Sequence, residues 1–323
     1  MCTAITFSAK DNYFGRNLDL EYNLQEAVTI TPSNFPLEYR FRESEKSHYA
    51  IIGTATISQN YPLYYDAVNE FGLAMAGLNF VGNAYYNKPK NSKCNITTFE
   101  LIPFILGSCK TVLEAEKLLE TINITDTPFN NSLGLGYLHW IIADKTSSIT
   151  VEPLKEGLRF YSNPIGVLTN NPPFPFHLQN LNQYVNLTPN DTEKGFADSL
   201  IFPFLSHGLG SIGLPGDLSS ISRFVRAAYY KLCSVVPKTE EESVTQFFHI
   251  LDSAFQTEGL TIFNEKFEKT VYSSCINTDK CIYYYKTYQN SRISKIDMFS
   301  TDYRGRCLIS YPLIYKQSFK EIV

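Results

Sequence analysis

The chain has 323 residues, with 28 Lys and Arg against 32 Asp and Glu, a formal net charge of −4 and a hydrophobic fraction of 44%. That length can bury a full core, and the balance of charge, with no basic cluster, excludes an electrostatic footprint for nucleic acid or a dedicated anionic-membrane patch. The strongest apolar stretch, 101–106, contains Pro103 and is far short of the roughly 20 residues that span a bilayer, while Asp11 and Arg16 interrupt any early apolar run; the expectation is a cytoplasmic chain with no membrane insertion and no signal peptide.

In chain order, chemistry comes first. Cys2 follows Met1 directly, and a side chain this small lets a methionine aminopeptidase remove Met1. The matured residue then carries a thiol and a free α-amine, whose ordinary pKa of about 7.7–8.0 suits proton transfer at neutral pH. One residue thus holds a nucleophile and its base, which points to acyl transfer through a thioester. Apolar positions at Ala4 and Phe7, then Tyr13 and Phe14, bracket the turn-like Lys10-Asp11-Asn12, so 2–7 and 13–16 read as a β-hairpin. Its second strand returns Arg16 and Asp19 to the thiol, where a cation favours thiolate and a carboxylate can orient the amine.

Further strands are expected at 27–31, 50–56, 63–68 and 73–79. Helices follow at 98–106 and 111–121, the second with Val112, Leu113, Ala115, Leu118 and Leu119 apolar. Strands return at 138–143, 148–152 and 158–161, helices at 219–233 and 240–255, and strands at 270–275, 282–285 and 292–297. Strand blocks alternating with helix pairs predict two stacked sheets covered by helices, an α+β chain without linker or internal repeat, hence a single domain over 1–323. The stretch Gly208-Leu209-Gly210-Ser211-Ile212-Gly213 matches a dinucleotide fingerprint literally but runs into Leu214-Pro215-Gly216, so it reads as a loop leading to the helix that carries Arg223. The seven cysteines show no metal-ligand spacing; Cys94, Cys109, Cys233, Cys275, Cys281 and Cys307 are expected to be reduced and mainly buried.

Met1-Cys2-Thr3, Phe14-Gly15-Arg16-Asn17-Leu18-Asp19, Gly72-Leu73-Ala74-Met75-Ala76-Gly77-Leu78-Asn79, Gly166-Val167-Leu168-Thr169-Asn170-Asn171-Pro172, and Gly213-Leu214-Pro215-Gly216-Asp217-Leu218-Ser219-Ser220 through Ser222-Arg223-Phe224 occur in this order. Together they resemble the choloylglycine hydrolase family of N-terminal nucleophile hydrolases, which contains bile salt hydrolases and penicillin V acylases. The resemblance extends to Ser273-Ser274-Cys275 and Tyr283-Tyr284-Tyr285. Taken singly, Asn79 also reads as a strand end, Asn170-Asn171-Pro172 as a turn, Arg223 as a helix-face arginine, and Arg16 with Asp19 as a surface pair; the ordered set is what those readings do not predict.

The resemblance implies a four-layer αββα sandwich and a catalytic set of Cys2, Arg16, Asp19, Asn79, Asn170 and Arg223. Cys2 is the implied nucleophile, with Arg16 and Asp19 flanking thiol and amine. Asn79 is the implied oxyanion donor, Asn170 a second amide beside it, and Arg223 completes the charge balance. Asparagine at position 79 favours the bile salt branch, since penicillin V acylases tend to carry tyrosine there. The implied substrate is a conjugated bile salt of the glycocholate or taurocholate type, with no metal or cofactor and a homotetrameric assembly. Leu18, Leu20, Tyr22 and Leu24 after Arg16, Tyr65 beside Tyr64, and Phe129, Leu133 and Leu135 in a later loop are candidate walls for a steroid body. Two other readings remain: a penicillin V or N-acyl-homoserine lactone acylase with the same machinery, and a sterol-binding or scaffold protein with a dead site, which an amino terminus permanently blocked by Met1 would support.

Overall fold

The computed structural model describes residues 1–191, 199, 203, 206–263 and 265–322. Its strands run as β1 (Cys2–Ser8), β2 (Asn12–Leu20), β3 (Ala27–Thr31), β4 (Ile51–Ser58), β5 (Tyr61–Asn69), β6 (Ala74–Asn79), β7 (Cys94–Thr97), β8 (Ile122–Thr125), β9 (Leu138–Ala143), β10 (Ser148–Leu154), β11 (Gly157–Ser162), β12 (Val167–Leu168), β13 (Thr261–Phe263), β14 (Lys266–Asn277), β15 (Ile282–Thr287), β16 (Ser294–Asp297) and β17 (Ile309–Pro312). The helices are α1 (Leu101–Ser108), α2 (Val112–Leu119), α3 (Phe174–Asn180), α4 (Ser220–Cys233) and α5 (Glu240–Asp252). Among the described residues, no helix is long and apolar enough to cross a membrane.

One sheet has the order β12-β1-β2-β14-β15-β16, with β13 added on β14; the other has the order β11-β10-β9-β6-β5-β4-β3-β17. Both are antiparallel throughout, and β7 with β8 forms a separate parallel pair.

Strand alternation explains the layering. In β6, Ala74, Ala76 and Leu78 face the first sheet and share a core with Ala4, Phe14 and Leu18. Met75 points the other way, with Leu73 before the strand, into a second core built from α1 and α2 through Leu101, Ile105, Leu106, Val112, Ala115 and Leu119. On the far side of the first sheet, Phe224 and Ala227 of α4 and Phe247 and Leu251 of α5 close the remaining face. The result is the expected αββα sandwich. Helix starts follow side-chain caps: Thr111 accepts from Glu114 N–H, Ser219 from Ser222 N–H, and Thr239 with Glu242 forms a reciprocal capping box.

Several boundaries differ from the sequence reading. The second strand runs to Leu20 instead of stopping at 16, because β14 pairs along its full length. Helix α1 begins only at Leu101, since Glu100 turns its carboxylate back to the Thr97 and Arg40 N–H groups and leaves Thr98 and Phe99 in a turn. The short elements β7, β8, β12, β13, β17 and α3 carry too little periodicity to be read locally. The 208–213 stretch is a loop with a single 3-10 turn at Leu209–Ser211 ahead of α4, as expected. All seven cysteines are unpaired, but Cys233 and Cys307 are exposed and Cys94 only half-buried, which corrects the expectation of general burial: Cys233 ends α4 on its outer side and Cys307 lies in a C-terminal loop.

Candidate active site

The β1–β2 hairpin pairs Cys2 with Leu18 and Ala4 with Arg16. Directly paired residues share a face, so Cys2, Arg16 and Leu18 all project between the sheets, while Asn17 and Asp19 project toward the helix layer. Asn17 donates to the Leu251 carbonyl of α5 at 2.9 Å, and Asp19 Oδ1 accepts from the Thr270 hydroxyl at 2.7 Å. The period of two therefore separates Arg16 from Asp19 and places the start of β1 between them.

Arg16 is wholly buried, and its seat is made by an irregularity. In the β4–β5 pairing Thr54 faces Asp66 and Ala55 faces Tyr64, so Tyr65 is the extra residue of a bulge. The β5–β6 ladder covers Asp66–Val68 and stops before Gly77. Two carbonyls are thereby spared from the ladder, and Arg16 Nη1 donates to both, at 3.0 Å to Tyr65 and 2.5 Å to Gly77. Arg16 Nη2 is buried without a hydrogen-bond partner among the described residues.

From the helix side, α4 delivers Arg223, also fully buried. Its Nη1 donates to the Cys2 carbonyl at 2.5 Å and Thr3 Oγ1 at 2.7 Å, its Nη2 to Asn170 Oδ1 at 2.7 Å, and its Nε to the Leu218 carbonyl at 3.0 Å. Asn170 Oδ1 also accepts from the Cys2 N–H at 2.9 Å, and Asn170 Nδ2 donates to the Asn79 carbonyl at 2.7 Å. One amide thus joins the nucleophile candidate, the α4 guanidinium and the end of β6. Asn170 is itself fixed by Ser220 Oγ on its N–H, at 2.8 Å, and by His177 Nε2 on its carbonyl, at 3.0 Å.

Met1 is in place, so the Cys2 nitrogen is a peptide N–H here. The Met1 ammonium donates to the Asp19 carbonyl at 3.1 Å and pairs with Glu268, and the Asp19 N–H returns to the Met1 carbonyl at 3.1 Å. Asp19 Oδ2 is buried and has no hydrogen-bond partner among the described residues.

Burial works against the charge on Arg16, but Cys2, Tyr272, Asp66 and Asp19 outweigh it and hold the guanidinium above its ordinary pKa. Burial pushes the Asp19 carboxyl up, opposed by the terminal ammonium, Arg223, the Thr270 hydroxyl and Arg16. Burial likewise lowers Arg223, opposed by Asp19 and Cys2. Two buried guanidinia, those of Arg16 and Arg223, thus lie beside Cys2.

Cys2 (4% exposed) opens on a cleft of about 410 Å³ between the β2 end, β5, the start of α1 and the 129–138 loop. Of the candidate wall residues, Leu18, Leu20, Leu24, Tyr65, Phe129, Leu133 and Leu135 line it, together with Asn79 and Arg16. Tyr22 does not: it is 52% exposed, with the Lys266 ammonium 5.7 Å from its ring centre, because the chain leaves β2 at Leu20 and turns outward. Sequence reasoning missed Leu63, Thr98, Phe99, Ile102 and Tyr137 as walls, which come from elements distant in the chain. The Tyr64 and Tyr65 hydroxyls are engaged by Thr31 and Thr56, at 2.7 and 2.8 Å, so their rings face the cleft as apolar surface. Asn79 ends β6 exposed at the cleft; its Oδ1 accepts from Val81 N–H at 3.1 Å, leaving the NH2 as the group it can offer.

A sandwich of two antiparallel sheets between helix layers, with a thiol at the head of its first inner strand, is the architecture of the N-terminal nucleophile hydrolases. A solved penicillin V acylase from Agrobacterium tumefaciens shares it with a TM-score of 0.74 at 18% identity, over 96% of this chain and 90% of that one. The model for linear amide C–N hydrolases of the choloylglycine hydrolase family matches residues 2–311, and the chain belongs to that family. It is 50% identical over 314 residues to the bile salt hydrolase/transferase of Lactiplantibacillus plantarum, covering 97% of each chain. It is 37% identical over 317 residues to that of Clostridium perfringens, covering 96% of each. A solved variant of the conjugated bile acid hydrolase from Clostridium perfringens superposes with a TM-score of 0.92 at 35% identity over the whole of both chains.

Proposed function

We propose that this protein hydrolyses the amide bond of glycine- or taurine-conjugated bile acids through a thioester at Cys2. The observation that carries the reading is the buried Cys2 thiol, flanked by Arg16 and Arg223 and opening on a cleft walled mainly by apolar side chains. The cleft lies within the roughly 300–1,000 Å³ of small-molecule sites, and its Leu, Phe and Tyr rings suit a steroid body. Full-length similarity to enzymes named for bile salts supports the same substrate.

Removal of Met1 turns the Cys2 N–H into an α-amine that keeps Asn170 Oδ1 as one acceptor and gains the unpartnered Asp19 Oδ2 as another. The Cys2 thiolate attacks the substrate carbonyl, and the unspent Nη2 of Arg16 supports the sulfur anion. The Asn79 amide NH2 takes up the oxyanion, a contribution of about 3–4 kcal/mol for a donor of this kind. The C–N bond then breaks as the α-ammonium protonates the leaving amine, and water, deprotonated by the same amine, hydrolyses the thioester. Arg223 and Asn170 act as the clamp that sets the direction of the α-amine. The chain works as one domain over 1–323, since the site draws residues from both sheets and from α4; the resemblance implies a cytoplasmic homotetramer as its setting.

The test is amine release by purified protein from glycocholate, taurocholate and penicillin V, with the amino terminus sequenced in parallel. Glycine or taurine released by a chain that starts at Cys2 is the expected result. Faster turnover of penicillin V, or none of either bile salt with Cys2 free, refutes the bile salt reading.

A further inference from the structure

We infer that Asp66 is a positioning residue for the nucleophile: from β5 it fixes the seat of Arg16, through Ser274 and the adjoining Tyr65, and adds a negative charge to the buried site, although it lines no part of the cleft. The inference rests on the reading of Cys2 as nucleophile, and it concerns a residue outside the set expected from sequence.

Asp66 is fully buried and follows directly on the bulged Tyr65, whose carbonyl receives Arg16. Its Oδ1 accepts from the Tyr272 hydroxyl, and its Oδ2 accepts from Tyr283 at 2.7 Å and from Ser274 at 3.0 Å. The hydrogens on this network can be assigned. Ser274 Oγ receives the Arg16 backbone N–H at 3.1 Å, so its own hydrogen is free for Asp66. The Tyr283 hydroxyl also meets Thr54 Oγ1 at 2.5 Å, which supplies it with a donor when its own hydrogen goes to Asp66. Three hydroxyls directed at one carboxylate form the hydrogen-bonding pattern of an anion. Burial raises the Asp66 pKa, and Arg16 followed by the three hydroxyls opposes it.

Asp66 thus adds a carboxylate to a buried cluster that already holds Asp19, Arg16 and Arg223, with Glu268 beside the amino terminus. The groups facing Arg16 are Cys2, Asp19 from β2, Asp66 from β5 and Tyr272 from β14, and Arg223 acts on Cys2 and Asp19 from α4. Without the Asp66 charge, Arg16 acts on the thiolate uncompensated. The thiolate becomes easier to form and a weaker nucleophile, because thiolate nucleophilicity falls as its pKa falls. A network that merely bolts the two sheets together would change stability and leave the titration of Cys2 where it was.

The experiment uses the mature protein carrying Asp66→Asn, and measures the rate of iodoacetamide alkylation at Cys2 against pH by mass spectrometry of the amino-terminal peptide. The expected result is a midpoint about one pH unit below that of the parent, with a lower plateau rate and a lower kcat on glycocholate. An unmoved or raised midpoint in a variant with native circular dichroism overturns the inference. If Asp66→Asn fails to fold, Asp66→Ser also removes the charge while leaving an oxygen for the surrounding hydroxyls; a lowered midpoint is again expected, and an unmoved one overturns the inference. Alkylation needs no acyl substrate, so loss of the bile salt reading (no amine release by the parent protein) stays distinguishable from loss of this one.

Discussion

Replacing His177 by glutamine removes a buried group whose protonation the fold opposes. His177 lies in α3, fully buried, with its ring stacked on Phe224 at 4.8 Å between centres and its Nε2–H on the Asn170 carbonyl. Its Nδ1 has no hydrogen-bond partner among the described residues. Burial, with a smaller contribution from His139 and Arg223, lowers the pKa from 6.5 to about 4. A histidine depressed in the folded state leaves the unfolded chain binding the extra proton between those values, so stability is full above about pH 6.5 and is lost as pH falls toward 4. At pH 4 the unfolded state is favoured through this one group by about 3 kcal/mol relative to pH 7.5. Glutamine keeps an N–H for the Asn170 carbonyl and does not titrate. Urea unfolding of parent and His177→Gln at pH 7.5 and pH 4 isolates the effect, since the other titrating groups cancel in the difference. We expect the variant to be weaker at pH 7.5 yet to lose about 3 kcal/mol less on acidification. Equal losses in the two proteins refute the reasoning.

Three further outcomes are expected. Cys2→Ala abolishes amine release while far- and near-ultraviolet circular dichroism stay native, and Cys2→Ser retains only weak turnover because a hydroxyl is scarcely ionised near neutrality; near-parental activity in either refutes the nucleophile. Asn79→Ala lowers kcat on glycocholate about 10²–10³-fold with little change in KM, whereas a rise in KM alone would make Asn79 a binding group. Gly15→Ala brings a Cβ to 2.1 Å from the Ser274 carbonyl oxygen, so β2 and β14 must separate; a loss of at least about 1 kcal/mol is expected in urea unfolding, together with reduced activity, and an unchanged midpoint contradicts the packing.

Residues near one another in sequence were the legible part of this protein. Cys2, the Lys10-Asp11-Asn12 turn, Arg16 and Asp19 lie within one hairpin, so alternation and a turn signal suffice to bring them together. Thr111, Ser219 and Thr239 start their helices by capping bonds that reach only three residues onward. Asn79, Asn170 and Arg223 were identified by the order of their motifs, but Asn170 meets Arg223 and Asn79 across 53 and 91 residues and Arg223 meets Cys2 across 221, and no local rule supplies those contacts. Asp66 leaves a trace in the sequence as the lone acid among the apolar and aromatic residues of 61–68. The bulge at Tyr65, the spared carbonyls that seat Arg16 and the outward turn that removes Tyr22 from the cleft had no local trace. The sequence by itself determined the place of Cys2 at the head of its hairpin and the layered α+β class, because these follow from periods of 2 and 3.6 and from a turn signal at fixed spacing. Only the tertiary structure decided which guanidinium hydrogen stays free, which carboxylates share the buried charge and which side chains wall the cleft, because each depends on strands and helices that meet across the chain.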